Sequence, residues 1–390
     1  MLNNQHIEVV KSTIPLLESA GPALTQHFYQ RMFSHNPELK DIFNMTHQKT
    51  GRQGVALFEA IAAYAKNIEN LAALTSAVER IAHKHTSFNI QAEHYQIVGH
   101  HLIETLRELA PDAFTSEVEE AWTAAYLFLA QIFIDREAAL YEERGQANGG
   151  WKGAREFKVV EKKAESEFVT SFVLAPVDGD AVIDYQPGQY IGIEVQPKGS
   201  ENIEIRQYSL SHKPNGESYR ISVKREVGEH LGLVSNHMHD EVECGDVVRL
   251  YPPAGDFFYQ EKQKPVVLIS AGVGATPMQS MLHTLASTNK PEVSYLYACN
   301  DANQHTFKQE TAALVSNQEW KQYAWYLDEV ADFSGQMDLS LVSEELPMSE
   351  ADFYMCGPVA FMEGMVKQLE QQGVQRERIH YEVFGPHTYL

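Results

Sequence analysis

Cysteine is scarce in this chain. Cys244, Cys299 and Cys356 are the only three in 390 residues, and no two form a CxxC pair. That excludes a disulfide framework and a structural zinc finger, and it fits a reducing compartment. Basic residues are also few: Lys and Arg total 31 against 53 Asp and Glu, a formal net charge of −22. Such a surface argues against nucleic acid, whose phosphates are held by Lys and Arg. It still allows a local basic pocket for a phosphorylated cofactor. Long apolar runs are missing. The longest, Ala124–Ile134, is interrupted by Gln131 and is far too short to span a bilayer. The opening Met1-Leu-Asn-Asn-Gln-His-Ile-Glu has no basic region, apolar core or cleavage site, so no secretory signal is expected. There is no internal repeat and no low-complexity stretch. What is present is ordinary for a globular protein, 44% apolar and 22% charged. The expectation is a soluble, cytoplasmic chain of two or three domains of roughly 100–200 residues each, a monomer with no obligate protein partner.

The texture of the chain changes twice. Residues 1–145 read as helix, with apolar residues at three- and four-residue spacing, in a first domain of residues 1–147. A last helix over Glu117–Arg144 stops at the Gly/Asn cluster ending in Gly150. Residues 151–262 carry short strand-like segments: Phe157–Val160, Phe168–Leu174, Tyr190–Val195, Ile205–Leu210, Tyr219–Lys224 and Val247–Leu250. Turn residues separate them, as in Gln186-Pro-Gly-Gln, which predicts an antiparallel β-barrel. Residues 263–390 alternate strands (Val266–Ser270, Val293–Ala298, Ala324–Asp328, Phe353–Cys356, Ile379–Val383) with helical segments. That order predicts an α/β doubly wound parallel sheet.

Nine histidines fall in the helical part, so position must decide among them. Leu74, Val78, Ile81 and His85 step by four, three and four, which places His85 on an apolar helix face. An imidazole there is either a hydrogen-bonded core group or a metal ligand. Tyr95 heads the inward stripe of the next helix, with Val98 and Leu102. In the last helix Glu137 lies on the stripe of Trp122, Tyr126, Leu129, Phe133 and Leu140. A carboxylate there is costly unless paired. It either snorkels, pairs with Arg136 or a surface lysine, or accepts from the free N–H of a metal-bound histidine. Tyr29, Phe43, Gln53 and Leu57 suggest a second wall. Gln53 and Leu57 share a face one turn apart, though each alone reads as plain core or surface.

Further along, Arg206-Gln207-Tyr208-Ser209 closes a strand. It offers a phosphate fork, an aromatic ring and a hydroxyl, though the bare pattern is also an ordinary strand end. Its companions are Pro187-Gly-Gln-Tyr190, Val223-Lys-Arg225 and Pro253-Ala-Gly-Asp-Phe-Phe258. The run Gly272-Val273-Gly274-Ala275-Thr276-Pro277 lacks the last glycine of the GxGxxG fingerprint. It stands nonetheless between a strand and a helix start, where backbone N–H groups can receive a pyrophosphate. Pro277 suits a first helical turn because its missing N–H would be unsatisfied there anyway. Cys356-Gly357-Pro358 follows a later strand, and Glu382-Val383-Phe384-Gly385-Pro386 lies near the C-terminus. Asp301, at the end of the second strand of this part, favours a free ribose hydroxyl over a 2′-phosphate, hence NADH, with NADPH left open.

Taken together these segments resemble the flavohaemoglobin family, in which a globin is fused to a ferredoxin–NADP reductase-like module. The globin likeness rests on His27–Phe33, Asn36–Phe43, Ile81–Phe88 and Phe133–Glu137, and the reductase likeness on the motifs above, in the family's order. The resemblance implies haem b, FAD and NADH as cofactors, and nitric oxide dioxygenase activity with NO and O2 as substrates. It implies His85 as the iron ligand, with Tyr95 and Glu137 as its hydrogen-bonded support and Tyr29 as the distal donor to oxygen. Phe43, Gln53, Leu57 and Lys84 would border the haem. Tyr190, Arg206, Gln207, Tyr208, Ser209 and the Val383–Pro386 tail would contact FAD, with Glu382 and Phe384 near its ring. Gly272–Pro277 and Cys356–Pro358 would meet the coenzyme. One departure stands out: Val227–Ser235 is longer than the compact glycine-rich segment expected there, so Ser235 receives no assignment. The rival readings are an NADH-dependent haem reductase acting on peroxides or another oxidant, and a haem-based sensor. The latter lacks an output domain.

Overall fold

Helical spacing gives way to strand alternation near Gly150, and the backbone follows. The computed structural model describes residues 2–43, 52–228, 231–288 and 290–385; the side chains of residues 16–20, 22, 52–56 and 58 are outside the described set. The Gln53 side chain and all of Pro386 therefore lie outside the described residues. Contacts divide the chain into two units. One comprises Met1–Gln146 with Gly199–Ile205, the other Ala147–Lys198 with Arg206–Leu390.

The first unit holds helices α1 (Asn4–His35), α2 (Arg52–Lys66), α3 (Thr75–Thr86), α4 (Ala92–Leu109) and α5 (Ser116–Gln146). Asn3 caps α1, its side chain accepting from the His6 N–H at 2.9 Å. Gln91 and His94 form a reciprocal cap at the start of α4. The core is aromatic and aliphatic, with Phe28, Met32, Leu39 and Trp122 nearly inaccessible. A glycine sets one close approach: a Cβ at Gly99 on α4 would lie 2.3 Å from Cε1 of Tyr126 on α5. Its absence lets the Tyr126 ring cross α4 and donate to the Tyr95 carbonyl at 2.5 Å.

After the helices come β1 (Arg155–Ala164), β2 (Val169–Pro176), β3 (Tyr190–Val195), β4 (Glu204–Ser209, of which Arg206–Ser209 fall in the second unit), β5 (Tyr219–Lys224), helix α6 (Leu233–Asp240) and β6 (Val247–Leu250). The strands lie in the order β4-β3-β6-β1-β2-β5, and a bridge between Leu210 and Ile221 joins the two ends. A closed antiparallel sheet has no free edge to protect. Phe157, Phe172, Leu174, Ile191, Ile193, Tyr219 and Ile221 fill its interior.

The chain continues with β7 (Val266–Ala271), α7 (Ala275–Ser287), β8 (Val293–Cys299), α8 (Lys308–Asn317), β9 (Lys321–Tyr326), β10 (Phe333–Ser334), β11 (Asp352–Cys356), α9 (Val359–Gln371) and β12 (Ile379–Glu382). This sheet has the order β10-β9-β8-β7-β11-β12 with parallel pairing. The order reverses direction between β7 and β11, and a crevice opens at the carboxyl ends of strands at such a switch point. β9 starts three residues before the expected Ala324 and ends at Tyr326, two before Asp328. The polar Lys321 and Gln322 hide that start from an apolar-run criterion.

Candidate functional site

In the helical unit three side chains from three helices meet at one point. His85 lies in the last turn of α3, Tyr95 in the first turns of α4, and Glu137 in α5. Glu137 is only 2% exposed. Its Oε1 accepts from the Tyr95 hydroxyl at 2.5 Å and lies 2.7 Å from His85 Nδ1. Nδ1 also lies 2.8 Å from the Tyr95 oxygen. An ionised carboxylate only accepts, so Nδ1 must carry the proton and Nε2 the lone pair. Among the described residues Nε2 has no hydrogen-bond partner. This is the tautomer that a metal ligand needs. Burial first, and then the Glu137 carboxylate, hold the Tyr95 phenol well above its ordinary range, so it stays a donor. Phe133 closes the side of the triangle, stacked on Tyr95 with ring centroids 6.3 Å apart. The Tyr126 bond to the Tyr95 carbonyl holds the start of α4 against α5.

The alternatives for Glu137 are resolved by its neighbours. Arg136 is taken by Glu79, with bonds of 2.6 and 2.5 Å. His83, off the stripe, joins a separate network: its Nε2 faces Glu79 at 3.1 Å and its Nδ1 faces the buried Arg144 at 2.9 Å. Lys84 is partly buried on the same helix. On α1, Tyr29 is buried within an aromatic group, stacked on Phe33 at 5.7 Å and edge-on to Phe43 at 5.9 Å. Leu57 packs against the same core from α2.

In the second unit Arg206–Ser209 closes strand β4. Arg206, Gln207 and Tyr208 are partly buried on β4, and Ser209 is buried. The Gln207 amide nitrogen is buried without a partner, and a buried donor left so calls for a ligand or water. Tyr190 pairs with Ala254 through two backbone bonds of 2.9 and 2.8 Å. Its ring lies over Gly255, where a Cβ would come within 3.0 Å of it and φ is +119°. Arg225 is engaged elsewhere, by Asp240 on α6 at 2.6 Å. The long Val227–Ser235 segment leads into α6, which begins after Gly232. Ser235 is buried there and accepts from the Glu226 N–H at 3.2 Å. Only the isolated Gly232 hinted at this helix start.

Gly272–Pro277 and Cys356–Pro358 converge at the switch point. Gly272–Gly274 is a 3-10 turn between β7 and α7, and Pro277 lies in the first turn of α7. The Thr276 hydroxyl donates to the Val273 carbonyl at 2.9 Å. A Cβ at Gly274 would come 2.2 Å from the Cys356 carbonyl oxygen, so only glycine lets this turn rest on the loop after β11. Burial pushes the Cys356 thiol well above its ordinary range and leaves it inert. Pro358 caps α9, and Cys356 lies opposite Glu382 in the β11–β12 register. Val383 is buried and Phe384 is 45% exposed. Asp301 is occupied as a cap: its Oδ1 accepts from the Asn303 and Gln304 N–H groups at 2.8 and 3.2 Å.

Fold and sites together define a class: a globin joined in one chain to a flavin- and pyridine-nucleotide-type oxidoreductase. The comparisons agree. The globin family matches residues 26–132, the oxidoreductase FAD-binding domain 156–259 and the oxidoreductase NAD-binding domain 268–367. A flavohemoprotein of Vibrio cholerae is 71% identical over 392 residues, with 100% of each chain covered. The crystal structure of the FAD/NAD-binding domain of a nitric oxide dioxygenase from the same species is 62% identical, with a TM-score of 0.58; it covers 60% of this chain and 99% of that one. A flavohemoglobin from Malassezia yamatoensis, solved with bound FAD and heme, is 27% identical with a TM-score of 0.89, covering 98% and 100%. The chain belongs to the flavohemoprotein family, with haem, FAD and a nicotinamide dinucleotide as its cofactors. The residues present fit these groups, through the unclaimed Nε2 of His85, the unpartnered Gln207 amide and the glycine turn at the switch point. Among the described residues no helix is long and apolar enough to cross a membrane.

Proposed function

We propose that the chain is a nitric oxide dioxygenase of the cytoplasm, acting as a monomer, in which NADH + 2 NO + 2 O2 give NAD+ + 2 NO3− + H+. When bound, FAD accepts a two-electron hydride and releases the electrons singly, and haem iron supplies the redox centre at which O2 and NO react. The observation that carries the reading is the 2.7 Å contact between the buried Glu137 carboxylate and His85 Nδ1. A carboxylate drawing on the Nδ1 proton makes Nε2 a stronger donor to iron, a push that oxygen activation needs and oxygen storage does not.

The other side chains take roles around that centre. Tyr95 completes the support by donating to Glu137. Tyr29 is the hydrogen-bond donor for oxygen, with Phe43, Gln53, Leu57 and Lys84 bordering the haem. Arg206 offers its fork to the FAD phosphates, while Gln207, Tyr208, Ser209, Tyr190 and the tail Glu382–Pro386 surround the flavin. The backbone N–H groups of Gly272–Pro277 receive the dinucleotide pyrophosphate, with Cys356–Pro358 alongside. The negative charge of Asp301 disfavours a 2′-phosphate, hence NADH over NADPH. The name carried by the 62%-identical Vibrio domain supports the same activity.

The test is an NO electrode, with purified protein, excess FAD, NADH and air-level oxygen, followed by a nitrate assay. Rapid NO loss that requires both NADH and oxygen and yields matching nitrate is expected. Oxygen-independent or slow loss, with the haem still reducible by NADH, would refute the dioxygenase reading and point to a different oxidant.

A further inference from the structure

Within the reductase unit, three side chains from three segments converge. His212 lies three residues beyond the end of β4, His283 on α7 and Glu310 on α8. One potential ligand atom from each lies within 4.8 Å of the other two. The two imidazole centroids are 4.2 Å apart, and His283 Nε2 is hydrogen-bonded to Glu310 Oε1. None of the three is fully exposed.

Each of these groups is held by its surroundings. The His212 carbonyl accepts from Ser280 Oγ at 2.8 Å and from the Tyr185 hydroxyl. His212 Nδ1 faces the Lys213 carbonyl at 3.2 Å, which places the proton on Nδ1 and the lone pair on Nε2. Among the described residues that Nε2 has no hydrogen-bond partner. Glu310 is also held by Arg220, whose Nη1 lies 3.0 and 3.1 Å from its two oxygens. Arg220 is in turn fixed on Ser211, by its Nε to the hydroxyl at 3.2 Å. A histidine whose second nitrogen donates to a carbonyl, and a carboxylate held by further hydrogen bonds, are the supports that metal ligands usually have. His212, Arg220 and Glu310 also line a cleft of about 300 Å³, which gives an ion a way in.

We propose that His212, His283 and Glu310 form a binding site for a borderline divalent cation of the zinc class. Two imidazoles and one carboxylate suit zinc, with water in the remaining position, and do not suit magnesium or calcium, which take oxygen ligands. The ion replaces the hydrogen bond between His283 and Glu310, while Arg220 keeps its hold on the other carboxylate oxygen. His212 belongs to the barrel, and His283 and Glu310 to the parallel sheet's helices, so the ion ties the two folds of the reductase together.

The experiment uses the full-length, haem- and FAD-loaded protein, stripped with a chelator and titrated calorimetrically with zinc and separately with magnesium. One tight zinc per chain, no binding of magnesium at the same concentrations, and an affinity at least about tenfold lower in both His212→Gln and His283→Gln are expected. Comparing these variants with the parent separates this site from the other histidines, and unchanged haem and flavin spectra confirm that they fold. Glu310→Gln, which keeps an oxygen for Arg220, should weaken zinc as well. Zinc affinity unchanged by either histidine replacement, or no tight zinc in the parent protein, overturns the proposal.

Discussion

Replacing Glu137 by Gln keeps the shape of the His85–Tyr95–Glu137 cluster and removes its charge. In the parent protein a single oxygen takes both short contacts, 2.5 Å from Tyr95 and 2.7 Å from His85. A neutral hydrogen bond contributes about 1 kcal/mol net, and a charge-assisted one roughly twice that. The substitution therefore removes about 1 kcal/mol from each bond. The oxidised iron gains most from an electron-rich imidazole, so it loses about 1–2 kcal/mol relative to the reduced form. At about 59 mV per 1.4 kcal/mol for one electron, the midpoint potential should rise by about 40–85 mV. Anaerobic spectroelectrochemical titration of the haem-loaded protein reads this directly. Tyr95→Phe leaves the charge in place and should shift the potential by less than half as much. A potential for E137Q within about 10 mV of the parent, with haem still bound through His85, would refute the argument that this carboxylate tunes the iron.

Tyr29→Phe removes one hydrogen bond and should speed oxygen dissociation about tenfold, as measured by flash photolysis or stopped flow; an unchanged rate would deny Tyr29 its role. Gly274→Ala places a methyl 2.2 Å from the Cys356 carbonyl oxygen, so the Gly272–Gly274 turn, proposed to hold the coenzyme, must shift. Its KM for NADH should rise by about tenfold or more while haem and flavin spectra persist; normal hydride transfer at low NADH would contradict the packing. Burial first, and then the Lys308 charge, pull the buried His305 down to about 4. It folds neutral, so its share of stability is complete above its unfolded value near 6.5 and is lost as the pH falls from there to about 4. At about 1.4 kcal/mol per unit the loss approaches roughly 3 kcal/mol. His305→Gln should flatten the fall in urea midpoint between pH 7 and 5, and parallel curves would refute this.

Most of the architecture could be read from local pattern, because helix, strand and turn each leave a period or a breaker. Tyr190–Val195, Tyr219–Lys224 and Val247–Leu250 match their expected strands at both ends. The polar opening of β9 escaped, since Lys321 and Gln322 carry no apolar signal. Helix α6 escaped because its eight residues give too little periodicity. At the candidate site, helical spacing could place His85, Tyr95 and Glu137 on inward faces. It could not choose Glu137's partner, because that depends on which of Arg136 and His85 comes within reach once three helices pack. Here Arg136 turns to Glu79. The role of Asp301 was legible only in part: its position at the strand end follows from the pattern, but its capping bonds to Asn303 and Gln304 depend on a turn the pattern does not specify.

The contact between Gly99 and Tyr126 constrains how this protein can vary over generations. A side chain at position 99 is excluded while the ring is present, and a smaller residue at 126 gives up the bond that holds the Tyr95 backbone. Neither position can drift alone without loosening the start of α4, and with it the phenol that supports Glu137. The two should therefore be inherited as a pair, their substitutions correlated among descendants even though 27 positions separate them along the chain.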